Sequence, residues 1–195
     1  MTWKRRLLLF WLGCSLQLGV GGCALAPASV PDYTNTQMDF SAVRTVAVLP
    51  FQNLTSDDLA AERVRDAFMG MLLATEEIYV LPPGEVARGI NRVSMRLPET
   101  PTVEEITKLK GILEVDAVIT GVLREYGAVR SGAAEANLVS LSLRMIETQN
   151  GMVVWSASST KGGITQTDRL LGSGGQPMND VTTRVINDLL DQLFE

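Results

Sequence analysis

The chain of 195 residues contains no histidine, and its two cysteines, Cys14 and Cys23, both lie near the amino terminus. These absences exclude whole classes of chemistry from residue 24 onward. A Ser-His-Asp triad, a Cys-His dyad, a zinc site built on His or Cys and an internal disulfide are all unavailable there. Aromatic residues make up only 6% of the sequence. No apolar run is long enough to span a bilayer: the longest, Leu7 to Val20, covers 14 residues, against the roughly 20 that a transmembrane helix needs.

That run is preceded by Lys4, Arg5 and Arg6 and followed by small residues. A cationic start, a short apolar core and a small-residue end form the layout of a secretory signal peptide, which must be set aside before the fold is read. The small residues, "VGGC" from Val20 to Cys23, resemble a bacterial lipobox, in which cleavage precedes the cysteine and lipid is added to its sulfur. Residues 1–22 are therefore expected to be removed and Cys23 to be lipidated. Cleavage at Cys14 would leave only seven apolar residues, Leu7 to Gly13, with the large Trp11 where the pattern favours a small aliphatic. An ordinary signal peptide with an incidental cysteine is the competing reading. Ala24, rather than an aspartate, follows Cys23, which by resemblance to sorted lipoproteins implies the outer membrane.

Without residues 1–22 the chain has 14 Lys and Arg against 22 Asp and Glu, a formal net charge of −8. This argues against binding nucleic acid or an anionic membrane surface through a basic patch. Residues 23–40, with Pro27 and Pro31, read as a lipidated tether. Sixteen flexible residues have a root-mean-square reach of roughly 20–24 Å, and about 55 Å when drawn straight. Residues 41–195 then suffice for one domain with its own core.

Within that domain "VRTVAVLPF" (43–51) carries apolar residues on both alternating faces, as an interior strand requires. Ala60, Val64, Ala67, Phe68, Met71 and Leu72 recur at helical spacing. "EIYVLPP" reads as a short strand and "GEVARGINRV" as a short helix. Thr102 and Glu105 have capping-box spacing ahead of an apolar stripe at Val103, Ile106, Leu109, Ile112 and Leu113. "VDAVITGVLREY" is a further interior strand. Val139, Leu141, Leu143 and Met145 then alternate with polar residues before Asn150-Gly151, which predicts a hairpin. Glycine-rich residues 159–179 read as a mobile loop, and Val181 to Leu193 as a closing amphipathic helix. The sequence thus predicts a single α/β domain with a mixed sheet and helices, in the order β-α-β-α-α-β-β-β-α.

The segments "VAVLPFQNLTSD", "DAVITGVLREY" and "VSLSLRMIETQNGMVVWSASST" are similar in order and spacing to a periplasmic lipoprotein domain. That domain is shared by the curli secretion channel, the peptidoglycan-synthase activator lipoprotein and the Pel polysaccharide export lipoprotein. The resemblance spans about residues 43–194, and its motifs are structural rather than catalytic, so it implies fold more than function. Curli channels insert long membrane-spanning hairpins, whereas residues 125–137 are too few and 159–179 lack alternation. The activator reaches its partner through a long linker, which a 16-residue tether does not match. The Pel lipoprotein, compact and short-tethered, fits better, and the resemblance then implies a periplasmic ring beneath an outer-membrane channel.

The expectation is therefore a non-enzymatic assembly or export component of the envelope that requires no cofactor or metal. Its expected partners are the outer membrane through the lipid anchor, further copies of itself, and envelope export or cell-wall proteins; the alternative is a regulator of a peptidoglycan synthase. Three residues are candidate contacts. Trp155 reads either as core or as an exposed aromatic at a subunit or membrane contact. Tyr126, beside Glu125, closes its strand and faces either a partner or solvent. Asp116 reads as a cap at the mouth of its strand or as a ligand-binding group. "TKGG" and "GSGG" lack the Gly-Lys-Ser/Thr arrangement of a phosphate-binding loop. Glu104 and Glu105 point about 100° apart on a helix, which is not the geometry of a catalytic pair.

Overall fold

A computed structural model describes residues 32–131, 134–163 and 175–194. The expected signal segment, Cys23 and most of the expected tether lie outside the described residues. Strand β1 spans Tyr33–Thr34 and is followed by a 3-10 turn at Phe40–Ala42. Then come β2 (Thr45–Val48), β3 (Gln52–Asn53), α1 (Ala60–Ala74), β4 (Tyr79–Val80), α2 (Pro83–Val93) and α3 (Val103–Leu113). The chain closes with β5 (Ala117–Ser131), β6 (Ala134–Glu147), β7 (Val153–Gly162) and α4 (Met178–Phe194).

The strands form one mixed sheet in the order β1-β7-β6-β5-β2-β4, with β3 alongside β5. The pairs β2/β4, β2/β5 and β3/β5 are parallel, while β5/β6, β6/β7 and β1/β7 are antiparallel. The parallel part follows from helical crossovers and the β5/β6 and β6/β7 pairs from direct reversals, while β1 adds to β7 from the far end of the chain. Successive residues of β2 and β5 point to opposite faces, and both faces are covered. Val46, Val48, Ala117 and Ile119 join α1 and α4 in the larger core. Ala47, Leu49 and Val118 join Val86 of α2 and Ile106 and Leu109 of α3 in the smaller one. The apolar doublets read from the sequence thus reflect a sheet with helices on both sides.

The local signals also hold. The Thr102 hydroxyl accepts from the Glu105 N–H, and the Glu105 carboxylate accepts from the Thr102 N–H at 2.8 Å, completing the capping box. Gly151 adopts φ +70°, and a Cβ there would stand 2.5 Å from Val103 Cγ1, so this turn excludes larger residues.

Three boundaries differ from expectation. The end of the expected tether is part of the sheet: Tyr33 and Thr34 pair with Ser156 and Trp155, and the Asn35 N–H donates to the Val154 carbonyl at 2.9 Å. Two residues of edge pairing are too few to produce a periodic signal. Residues 125–137 are not a plain connection but the outer half of one long β5–β6 hairpin, in register out to Ser131 and Ala134. Residues 159–162 of the expected loop belong to β7, and residues 164–174 lie outside the described residues.

Candidate interaction site

The strand lengths give the domain two unlike ends. At fifteen residues, β5 runs about 50 Å at roughly 3.3–3.4 Å per residue. At its start lie the tether entry, β4 and the carboxyl ends of α1 and α4. At its far end the β5–β6 hairpin continues past the rest of the sheet as an arm.

The arm begins at a register shift between Leu123 and Glu125, where β3 has ended. Beyond it the outer edge of Glu125–Ser131 has no strand partner among the described residues. On the other side the β6/β7 pairing stops at Leu138 and Gly162, with one further bond from the Gly163 N–H to the Asn137 carbonyl. Tyr126 lies at the root of the arm. It is half-buried against the larger core, and the Arg63 guanidinium stands 5.9 Å from its ring centroid. Arg63 in turn pairs with Asp57. Val129 is 48% exposed, and Arg130 bridges to Glu135 across the arm at 3.3 Å.

Below the arm, α2 and α3 cover only part of their side of the sheet. The uncovered part is a field of hydroxyls and two arginines. Ser140 and Thr160 are hydrogen-bonded at 2.8 Å, the Ser158 hydroxyl donates to Ser142 at 2.8 Å, and Arg124 Nε donates to Ser142 at 3.2 Å. Arg144 is exposed and lies between Thr120 and Ser156 in register. The alternation of Ser140, Ser142 and Arg144 in the sequence signalled a wetter face. It could not show that two helices would leave that face open.

Asp116 and Trp155 lie at the opposite end from Tyr126, so the three candidates do not form one site. The Asp116 carboxylate accepts from the Arg44 N–H (3.0 Å), the Thr45 N–H (2.9 Å) and the Thr45 hydroxyl (2.9 Å). Burial pushes its carboxyl up, but these three donors outweigh burial and hold it below the ordinary carboxylate range. Asp116 therefore fastens β2 to the start of β5, and its acceptor oxygen is engaged within the fold. Trp155 is only 1% exposed, and its indole N–H donates to the Gln192 carbonyl of α4 at 3.2 Å. The exposed-aromatic reading of Trp155 is thereby corrected. Trp155 and Val153 are successive odd residues, but the β6/β7 register slips between Met145 and Ile146, so alternation along the strand did not decide its surroundings.

Trp155 does border a cavity of about 600 Å³, which also takes in Thr34, Phe40, Arg44, Ile78 and Phe194 at the tether end. No sequence signal marked it, because its walls come from β1, the 3-10 turn, the α1–β4 connection, the inner strands and the end of α4. Among the described residues no group of His, Cys, Asp or Glu gathers into a metal site. Among them, too, no helix is long and apolar enough to cross a membrane.

Comparison with known proteins agrees with this architecture. A lipoprotein of Neisseria meningitidis serogroup B is 24% identical over 186 residues, covering 94% of this chain and 84% of its own. The crystal structure of lipoprotein GNA1162 from Neisseria meningitidis superposes with a TM-score of 0.51 at 23% identity, covering 76% of this chain and 99% of that one. A PelC dodecamer from Paraburkholderia phytofirmans gives a subunit TM-score of 0.57 at 17% identity, covering 82% and 93%. At these identities the structural likeness establishes a shared fold. Residues 31–195 match the GNA1162-like sequence family throughout. The chain belongs to the GNA1162-like lipoprotein family.

Proposed function

We propose that this protein is anchored through lipidated Cys23 in the outer membrane, faces the periplasm, and acts without catalysis as an assembly or export component that self-associates. The observation that carries the reading is the arm of β5 and β6. An exposed strand edge is a template for pairing with another chain, and monomeric proteins usually keep such edges short or covered. Here the outer edge of Glu125–Ser131 lacks a strand partner among the described residues. The likeness of the fold to a PelC subunit, solved as a dodecamer, supports a ring. A ring requires heterologous contacts between two different surfaces of each copy. The arm supplies one such surface, and the open hydroxyl and arginine face supplies another.

The test is the solution mass of residues 24–195, which retain both cores, by light scattering over a concentration series. A discrete oligomer is expected. A monomer at every concentration, for the lipidated protein in detergent as well, would overturn self-assembly. It would leave the arm as a docking element for a partner such as a cell-wall synthase.

A further inference from the structure

We propose that the cavity at the tether end is a binding site for a single acyl chain. Its volume of about 600 Å³ lies within the range of small-ligand pockets, roughly 300–1,000 Å³. Its floor is Met145 and Trp155, each 1% exposed. The only polar atom of the indole is already bonded to the Gln192 carbonyl, so Trp155 offers the cavity carbon alone. Phe40, Ile78, Leu193 and Phe194 form the walls, and Phe194 remains 40% exposed. Polar groups share the lining: Thr34, Ser41 and Gln192 border the same cavity, as do the exposed Arg44 and Glu77. A buried apolar floor with polar and charged groups in the surrounding lining suits a chain that ends in a polar head.

Position selects lipid among apolar ligands. Thr34, at the point where the tether joins the sheet, is part of the lining. Only nine residues, 24–32, separate Cys23 from Tyr33. Nine residues have a root-mean-square reach of roughly 15–18 Å, and about 30 Å when straight. With the Cys23 anchor proposed above, the cavity therefore cannot leave the neighbourhood of the bilayer. Two further grooves among the described residues have mixed linings as well, so position, and not lining alone, singles out this cavity. The one between α1 and α4 includes Thr75, Asn187 and Asp191, and the one on the open sheet face includes Arg124, Arg144 and Glu99.

The molecule contains its own reporter. Trp3 and Trp11 fall within the signal segment, so residues 24–195 hold Trp155 as their single tryptophan. Bromine quenches indole fluorescence only at short range. Titrating residues 24–195 with dibrominated stearate should give saturable quenching, relieved by competing unbrominated palmitate. Ser41→Phe, which fills the cavity, and Phe194→Glu, which charges its wall, should each weaken binding by about tenfold or more while the circular dichroism spectrum stays unchanged. Absence of saturable quenching in the folded domain would overturn the proposal, as would quenching that neither variant affects. A variant comprising residues 32–195 that binds where 24–195 does not would also overturn it, by showing that the tether fills the cavity.

Two sources of the chain are then separable. If the protein's own anchor occupies the cavity, lipidated protein in unbrominated vesicles will resist quenching by added brominated stearate. If a bilayer lipid does, lipidated protein in vesicles of dibrominated phosphatidylcholine will be quenched. Loss of binding with oligomerisation intact would refute the site alone. Binding in a monomer would refute only the ring.

Discussion

Asp116 shows how a residue can look like a binding group while serving the fold. It precedes an apolar strand in the sequence, and in the structure it accepts three hydrogen bonds from Arg44 and Thr45, more than 70 positions away. That partnership was not legible, because Arg44 and Thr45 reach Asp116 only once β2 and β5 pair in parallel. Hydrogen bonds to a charged group contribute about 1.5–3 kcal/mol, so Asp116→Asn should lower stability by about 1–3 kcal/mol at neutral pH. The pH dependence has a defined sign. A carboxyl whose folded pKa is depressed stabilises above its unfolded value of about 3.9, and the contribution is lost as pH falls through the folded value. Urea unfolding should therefore separate wild type from Asp116→Asn at pH 7 and bring them together as pH falls below the depressed folded value of Asp116. Trp155 gives the complementary case. Trp155→Ala should cost about 3–5 kcal/mol as a core truncation. A Trp155→Ala domain as stable as wild type but unable to associate would restore the contact role that its burial argues against.

At the scale of elements, legibility followed burial. Strands β2 and β5, with apolar residues on both faces, and helices α1, α3 and α4, with continuous stripes, could be read because the core imposes periodicity on them. The capping box of α3 could be read because its chemistry is local. The arm could not. Tyr126 at the root packs against the larger core, but Gly127, Ala128, Val129 and Arg130 project past it, so no face is consistently apolar and the alternation that marks a strand is missing. Backbone pairing with β6, with the Arg130–Glu135 bridge across it, holds the arm in register, which is a property of two segments together. This makes the arm separable from the fold. Replacing residues 129–136 with Asn-Gly keeps Ala128 and Asn137 as the closing pair and supplies a two-residue hairpin turn. The shortened protein is expected to unfold within a few degrees of wild type, since no residue of either core is removed. Its light-scattering mass should fall to that of a monomer. An oligomer of unchanged size would exclude the arm from assembly and leave the open sheet face as the remaining surface.

At the scale of the whole molecule, the sheet acts as a spacer with a direction. The tether joins at Tyr33, beside the cavity and level with Thr120 of β5, and the tip of the arm at Ser131 lies roughly 35–40 Å further along that strand. A lipid on Cys23 would therefore orient the domain as well as retain it, with the cavity towards the membrane and the arm towards the periplasm. Crowding copies on a surface with one common orientation raises the effective concentration of matching edges, so the anchor and the arm should act together. Cys23→Ser tests this coupling. Radiolabelled palmitate should enter the wild-type protein and not the variant, and the variant should move from the membrane pellet to the soluble fraction. Because both cores lie wholly C-terminal to Cys23, the fold should survive. Crosslinking in cells should then give the wild-type ladder of oligomers but mainly monomer for Cys23→Ser. Restoring membrane attachment with a different amino-terminal anchor should bring the ladder back. An equal ladder from unanchored protein would mean that assembly is driven by the edges alone, and that the membrane only determines where it occurs.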